Sequence, residues 1–197
     1  MQQIDTGRLV LEPLTEADLS EMFAVYSDPR TWAHLPSHRH RHPDETARNI
    51  ANTTRSRHLT GLGMWAMRVG PEAADDELPE GTFIGTGGVV LVGPDLWNLG
   101  YRLSPRAWGR GFATAVSRAA TEAAAEVAPD RAVTARVLSN NPASERVVRK
   151  VGLSLVWEGV SSETEATSSS PAPPVMRRAF ADRELSPDAT AWLIAMA

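Results

Sequence analysis

"SPRAWGRGFATAVSRAA", residues 104–120, is the stretch whose reading decides the fold. Two glycines, Gly109 and Gly111, stand one residue apart, directly ahead of an alanine-rich run. Alanine is the best helix former and glycine among the worst, so the helix boundary falls at the glycines. Two readings of the pair are open. The glycines can simply make a turn, since glycine enters the left-handed region at no steric cost. They can also bare the backbone at a helix N-terminus, where unpaired N–H groups and the helix dipole suit an anion such as a pyrophosphate. No "GK[ST]" follows, so this is not a P-loop. A rival signal, "GLGMWA" (Gly61, Gly63, Ala66), formally matches a dinucleotide fingerprint. It follows a helical pattern and precedes a β-rich one, the reverse of what that motif needs, and reads as a turn entering a strand.

Outward from this stretch the chain alternates between two periods. "RLVLEPL" (8–14) reads as a strand, and "TEADLSEMFAVYSD" (15–28) as a helix capped by Thr15 with Asp18, its apolar face carrying Leu19, Met22, Phe23 and Tyr26. "PDETARNIANTTRSRHL" (43–59) is a second, more polar helix with Pro43 in its first turn. Strands follow at 63–69 and 81–92, around the acidic loop "GPEAADDELPEG", and at 96–104. The helix at 112–128, a strand at 131–138, a short helix at 141–152 and a strand at 153–160 complete the patterned region. "SSETEATSSSPAPP" is polar and low in complexity, a loop over 161–174. A last strand at 175–182 and a terminal helical turn or two close the chain. This order predicts one α/β domain over 1–197, with a mixed, mostly antiparallel twisted sheet and helices on both faces.

Composition narrows the function. The 197 residues hold no cysteine, which excludes disulfides, thiolate metal sites and a cysteine nucleophile. A formal net charge of −4, with no basic stripe, argues against nucleic acid as a partner. There is no long apolar run for a membrane span and no signal-peptide pattern, so a cytoplasmic location is expected. His34, His38, His40 and His42 resemble a metal cluster, and i, i+2 spacing would set the last three on one side of a strand. Interleaved arginines and flanking prolines instead favour a solvated loop beside an acceptor, and no metal is expected. No nucleophile-elbow motif presents a serine for a triad.

A second stretch, "NNPASERVVRKVGL" (140–153), changes the reading of the glycines. Arg106-x-x-Gly109-x-Gly111 together with Asn141, Ser144, Lys150 and Gly152 resembles the paired signature of the GNAT superfamily, the N-acyltransferases that use acyl-CoA. "NLGYRLSPRAWGRGFATAV" and the opening "TGRLVLEPLTEADLSEMF" are similar to the branch that acetylates ribosomal-protein N-termini and small amines. The resemblance covers about residues 5–160. It implies acetyl-CoA as cosubstrate, its pyrophosphate on backbone N–H groups from Arg106 through Thr114, chiefly Trp108, Gly109, Arg110, Gly111 and Ala113. It implies that the strand ending near Leu103 splays from its neighbour and pairs with the pantetheine arm, and that Asn141 and Ser144 face that arm. Asn141, Pro142 and Gly152 also suit a plain helix cap, first turn and helix end, and both readings can hold.

The implied chemistry is direct attack of a neutral primary amine on the thioester, on a peptide N-terminus or a small molecule, in a ternary complex. Two departures bear on it. Many relatives place a tyrosine acid where this chain has Val148, and the nearest branch often has a glutamate where this chain has Asn98. Ser144 is then the candidate to assist the departing thiolate. Asn98 or Tyr101 could hold a water, and His34 is another candidate proton acceptor. Arg30, Arg39 and Arg41 could hold an acidic group of the acceptor, and Trp32 could line its pocket. The alternative is a CoA-binding sensor or scaffold that has lost turnover. A homodimer is left open.

Overall fold

The computed structural model describes residues 2–93, 95–161 and 175–196. The loop expected at 161–174 lies outside the described residues except for Ser161. Eight strands form one sheet: β1 (Ile4–Asp5), β2 (Leu9–Pro13), β3 (Met64–Val69), β4 (Phe83–Val92), β5 (Leu96–Leu103), β6 (Val133–Leu138), β7 (Ser154–Val160) and β8 (Met176–Ala181). Their order is β1-β2-β3-β4-β5-β6-β8-β7, antiparallel throughout except for β5 beside β6. Five helices join them: α1 (Leu19–Tyr26), α2 (Pro43–Thr60), α3 (Phe112–Val127), α4 (Pro142–Lys150) and α5 (Pro187–Ala195). The predicted mixed α/β architecture with helices on both faces is observed. Two elements exceed the sequence reading: the two-residue β1, too short to carry a period, and α5, a full nine-residue helix.

Alternation along the strands sorts the two faces. On one face α1 and α2 bury Met22, Val25, Tyr26 and Ile50 against Ala66, Phe83 and Leu138. The Tyr26 hydroxyl shares a 2.7 Å hydrogen bond with Thr86 beneath it. On the other face α3 buries Phe112, Val116, Ala119 and Ala120 against Val89, Leu99 and Leu103. Each fully buried large apolar side chain contributes about 1.5–3 kcal/mol. Alanines at 119, 120 and 124 bring α3 close to the sheet. The helix runs from Gly111 to the residue before Pro129, two natural boundaries. α5 seats Ala189 and Leu193 on Leu96 and Ala179.

Gly61 ends α2 in the left-handed conformation and leads into β3, so "GLGMWA" is the expected turn and not a nucleotide loop. Arg68 on β3 gathers Asp18, Glu12 and Glu21 at 2.8, 3.0 and 3.1 Å, and so ties α1 to the sheet edge.

The decisive feature is the middle of the sheet. β4 and β5 are in register over eight pairs, from Gly85↔Leu103 to Val92↔Leu96. β5 and β6 are in register over two, Trp97↔Val133 and Asn98↔Thr134. Beyond Asn98 the strands part.

Candidate active site

The parting of β5 from β6 opens a cavity of about 440 Å³. Its walls come from both sides of the sheet. Asn141, Ser144 and Val148 of α4 lie on one side, and Trp32, His34 and His38 on the other. Asn98, Tyr101 and Arg102 of β5 line it along its length. A passage through the sheet can therefore receive one reactant from each face.

The glycine loop continues β5. After Leu103 a single 3-10 turn, Pro105–Ala107, leads to Trp108, and the Trp108 indole donates to the Leu103 carbonyl at 3.1 Å. Gly109 and Gly111 have φ of +77° and +83°, and a Cβ on either would meet nothing within 4 Å. So the turn itself demands glycine, and the space above it is open as well. The first helical bond runs from the Ala115 amide to the Gly111 carbonyl at 3.0 Å. The amides ahead of it, including those of Ala113 and Thr114, have no acceptor within α3 and collect the positive end of its dipole. This is the backbone cradle that a pyrophosphate needs. The acidic loop packs against it. Arg110 pairs with Asp75 at 2.6 Å and with Glu77 at 2.9 Å, and Arg106 donates to the Glu77 carbonyl. The arginines of the motif are thus held by the acidic loop, while the loop backbone is presented at the helix end.

α4 presents the second motif. The Asn141 side chain accepts from the Ser144 amide at 3.2 Å, Pro142 is the first helical residue, and Gly152 closes the helix at φ +93°. The capping reading of these three is realised. Asn141 and Ser144 also line the cavity, as does Asn98 at the point where the strands part. The structure thus gathers Asn98, Asn141 and Ser144 in one space, and sets Leu103 through Thr114 at the end of β5.

Tyr101 had only a minor place in the sequence reading. Its hydroxyl donates to the Ser144 carbonyl at 3.4 Å, one turn ahead of Val148. Burial pushes its phenol up to about 12, so it stays protonated at neutral pH.

The other side of the cavity departs from expectation. The histidine segment is the expected loop, with 3-10 turns at Pro29–Trp32 and Pro36–His38, but it is not wholly solvated: His40 is buried, bonded to Thr46 Oγ1 at 2.8 Å, with its ring 4.8 Å from that of Tyr26. Among the described residues no group of His, Cys, Asp or Glu could hold a metal ion. Arg30 is bound to Asp28 at 2.6 Å, Arg39 donates to the Ser27 carbonyl, and neither they nor Arg41 line the cavity. Its cations are Arg102, Arg136 and Arg177, which the motifs did not point to. The signal was present: on a strand, Asn98, Gly100 and Arg102 share one face.

The first 3-10 turn positions Arg102. Trp32 Nε1 donates to the Tyr26 carbonyl at 2.6 Å, which fixes the indole. The Arg102 guanidinium lies 3.2 Å from the centre of that ring and donates to the Thr31 carbonyl. Burial lowers Arg102 to about 10, still charged at neutral pH. His34, stacked on Trp32, is pushed down to about 4 by burial first and then by Arg102 and Arg177, so its ring is neutral.

Residues 8–154 match the model of the acetyltransferase (GNAT) domain, about three-quarters of the chain. The chain belongs to the GNAT acetyltransferase family. No curated protein matches it in sequence. Solved structures share the fold. An acetyltransferase from Agrobacterium tumefaciens is 22% identical, with a TM-score of 0.69 over 93% of this chain and 95% of that one. RimL, a ribosomal L7/L12 alpha-N-protein acetyltransferase solved with coenzyme A, is 15% identical, with a TM-score of 0.67 over 92% and 99%. The microcin C7 self-immunity acetyltransferase MccE, solved with acetyl-CoA and AMP, is 9% identical, with a TM-score of 0.66 over 88% and 91%. Membership makes this GNAT protein an acyltransferase, and among its described residues no helix is long and apolar enough to cross a membrane.

Proposed function

We propose that this protein is an N-acetyltransferase that moves an acetyl group from acetyl-CoA to a primary amine, on a small molecule or a peptide N-terminus. The observation that carries the proposal is the passage through the sheet where β5 leaves β6, lined from both faces, with the glycine loop following at the end of β5. RimL and MccE, solved with coenzyme A and acetyl-CoA, support the choice of cosubstrate.

Acetyl-CoA supplies an activated acetyl thioester. The amides of Trp108 through Thr114 hold its pyrophosphate, and Arg106 and Arg110 fix the loop that carries them. The backbone of β5 beyond Asn98, unpaired on its β6 side, offers hydrogen bonds to the pantetheine arm. Asn141 positions Ser144 by capping α4, and Ser144 faces the sulfur. A neutral amine entering from the Trp32 side forms the new C–N bond as the C–S bond breaks. The proton lost by nitrogen passes to a water held by Asn98 or to the neutral ring of His34. The proton gained by sulfur comes from the Ser144 hydroxyl, which is reprotonated in turn from water, while Tyr101 steadies Ser144 through its backbone carbonyl. Most of the acceleration comes from holding both reactants in a closed geometry.

The test is release of free thiol from acetyl-CoA over a panel of amines. Turnover with rate rising with pH and levelling near the acceptor's own pKa, about 8 for an α-amine, is expected where no strong base assists. Tight CoA binding with no turnover on any amine would instead make the protein a CoA-binding sensor or scaffold.

A further inference from the structure

We infer that Arg8 is a positioning residue for the cosubstrate: it locks the peptide between Arg110 and Gly111, so that the Gly111 amide is kept facing the pyrophosphate. The inference rests on the proposed acetyl-CoA reading and deepens it. Arg8 immediately precedes β2, and its Nη2 donates to the Arg110 carbonyl at 3.1 Å, across 102 residues of sequence.

The glycines that make the cradle also make it loose. A peptide beside a glycine turns over at small cost, because glycine takes either sign of φ. Turning over the Arg110–Gly111 peptide replaces an N–H by a carbonyl oxygen where a phosphate is to sit. The helix does not prevent this. Its first bond goes to the Gly111 carbonyl, one residue later, so α3 leaves the Arg110 carbonyl unheld. Among the described residues Arg8 is what holds it. Across a trans peptide the N–H and the C=O point in opposite directions. With the carbonyl tied to Arg8, the Gly111 N–H is aimed to the other side of the loop, and there it has no acceptor among the described residues. The backbone agrees with this use. Gly109 and Gly111 have positive φ and Arg110 between them does not, an alternation that turns successive N–H groups toward one anion.

The lock is itself held in place. The Gly70 amide donates to the Arg8 carbonyl at 2.9 Å, and the Glu72 amide to the Gly7 carbonyl at 3.0 Å. The Arg8 guanidinium lies 5.9 Å from the centre of the Phe112 ring, the buried first residue of α3. The acidic loop that begins at Gly70 also carries Asp75 and Glu77, which hold the Arg110 side chain. One loop therefore fixes both partners, and Arg110 is pinned by its side chain and by its carbonyl. The bond from Arg8 is exposed, so water replaces it when the side chain is removed. What is lost is the orientation of the peptide, not the packing of the fold.

The experiment measures binding on the full chain and needs no turnover. Calorimetry compares CoA in the parent, Arg8→Ala and Arg8→Lys, and thermal melting without ligand checks that each variant folds. In Arg8→Ala the Kd for CoA should rise at least about tenfold, the scale of one hydrogen bond to a charged group. Arg8→Lys keeps a donor and should recover part of the loss. Two further ligands separate positioning of the pyrophosphate cradle from other roles. CoA lacking its 3′-phosphate keeps the pyrophosphate and should lose as much in Arg8→Ala as CoA does. Pantetheine has no phosphate, and its weak binding, followed by NMR titration, should be the same in parent and variant. Equal CoA affinity in parent and Arg8→Ala overturns the inference. So does a loss that disappears when the 3′-phosphate is absent, which would make Arg8 a direct contact of that phosphate. An equal loss for pantetheine also overturns it, since a general distortion weakens both ligands. A parent chain that binds no CoA refutes the acetyl-CoA reading itself, and is told apart from these because no variant is involved.

Discussion

His34 is the residue whose surroundings alter it most visibly. Its titration falls from 6.5 to about 4 on folding, chiefly through burial. The unfolded chain therefore takes up this proton at a higher pH than the folded one. Stability from the neutral ring is complete above about 6.5 and is lost as pH falls through 4. His40 is lowered as well, by burial first, and acts with the same sign. Denaturant midpoints measured from pH 7 to pH 4 should drop less in His34→Gln than in the parent chain, and equal slopes would show that the ring is not held neutral. At the glycine loop two effects separate. Gly111→Ala meets no neighbour but must adopt φ of +83°, a strain of about 1–2 kcal/mol. Gly111→Val adds branches in the space above the amides, so calorimetry should show CoA affinity falling much further for valine than for alanine. In Ser144→Ala, kcat should fall more than KM for acetyl-CoA rises, as for a group acting in the transition state. Tyr101→Phe removes the hydrogen bond to the Ser144 carbonyl and should show the same pattern more weakly.

At the scale of elements, α4 illustrates one residue with two duties. Asn141 caps the helix by accepting the Ser144 amide, so Asn141→Ala should cost about 1 kcal/mol of stability and displace Ser144 as well. Asn141→Asp keeps the cap, and urea unfolding should return it close to the parent value. The motif residues were legible because their types are forced by local geometry: positive φ at Gly109, Gly111 and Gly152, a cap at Asn141, a first turn at Pro142. The strands and longer helices were legible because their apolar period is local too. The site's cations were not. Arg102 is an ordinary strand residue until the turn at Pro29–Trp32 brings an indole beneath it, and Arg177 belongs to a strand some forty residues beyond β6 in sequence. The histidine segment was legible as a loop from its arginines and prolines, but the burial of His40 was not, because it comes only through Tyr26 and Thr46.

For the molecule as a whole, the sheet is unevenly joined. Eight registered pairs hold β4 to β5 and two hold β5 to β6. The backbone amides of β5 beyond Asn98 that face β6, and those of β6 beyond Thr134 that face β5, should exchange with deuterium faster than those of β4, and should slow when CoA is added. Other links cross the same boundary. The Trp97 amide donates to Ala132, Thr134 Oγ1 donates to the Trp97 carbonyl, and the Tyr101 hydroxyl reaches the Ser144 carbonyl of α4. Mechanically, the protein is two plates meeting along a short seam: β1 to β5 with their helices form one, and β6 to β8 the other. Fewer backbone bonds cross the seam than lie within either plate, so a change in the wedge angle between them, resisted mainly by the core that spans both, is the deformation expected to cost least. Occupants of different width would be accommodated by that angle, at a cost borne by the seam and by the core that runs beneath it.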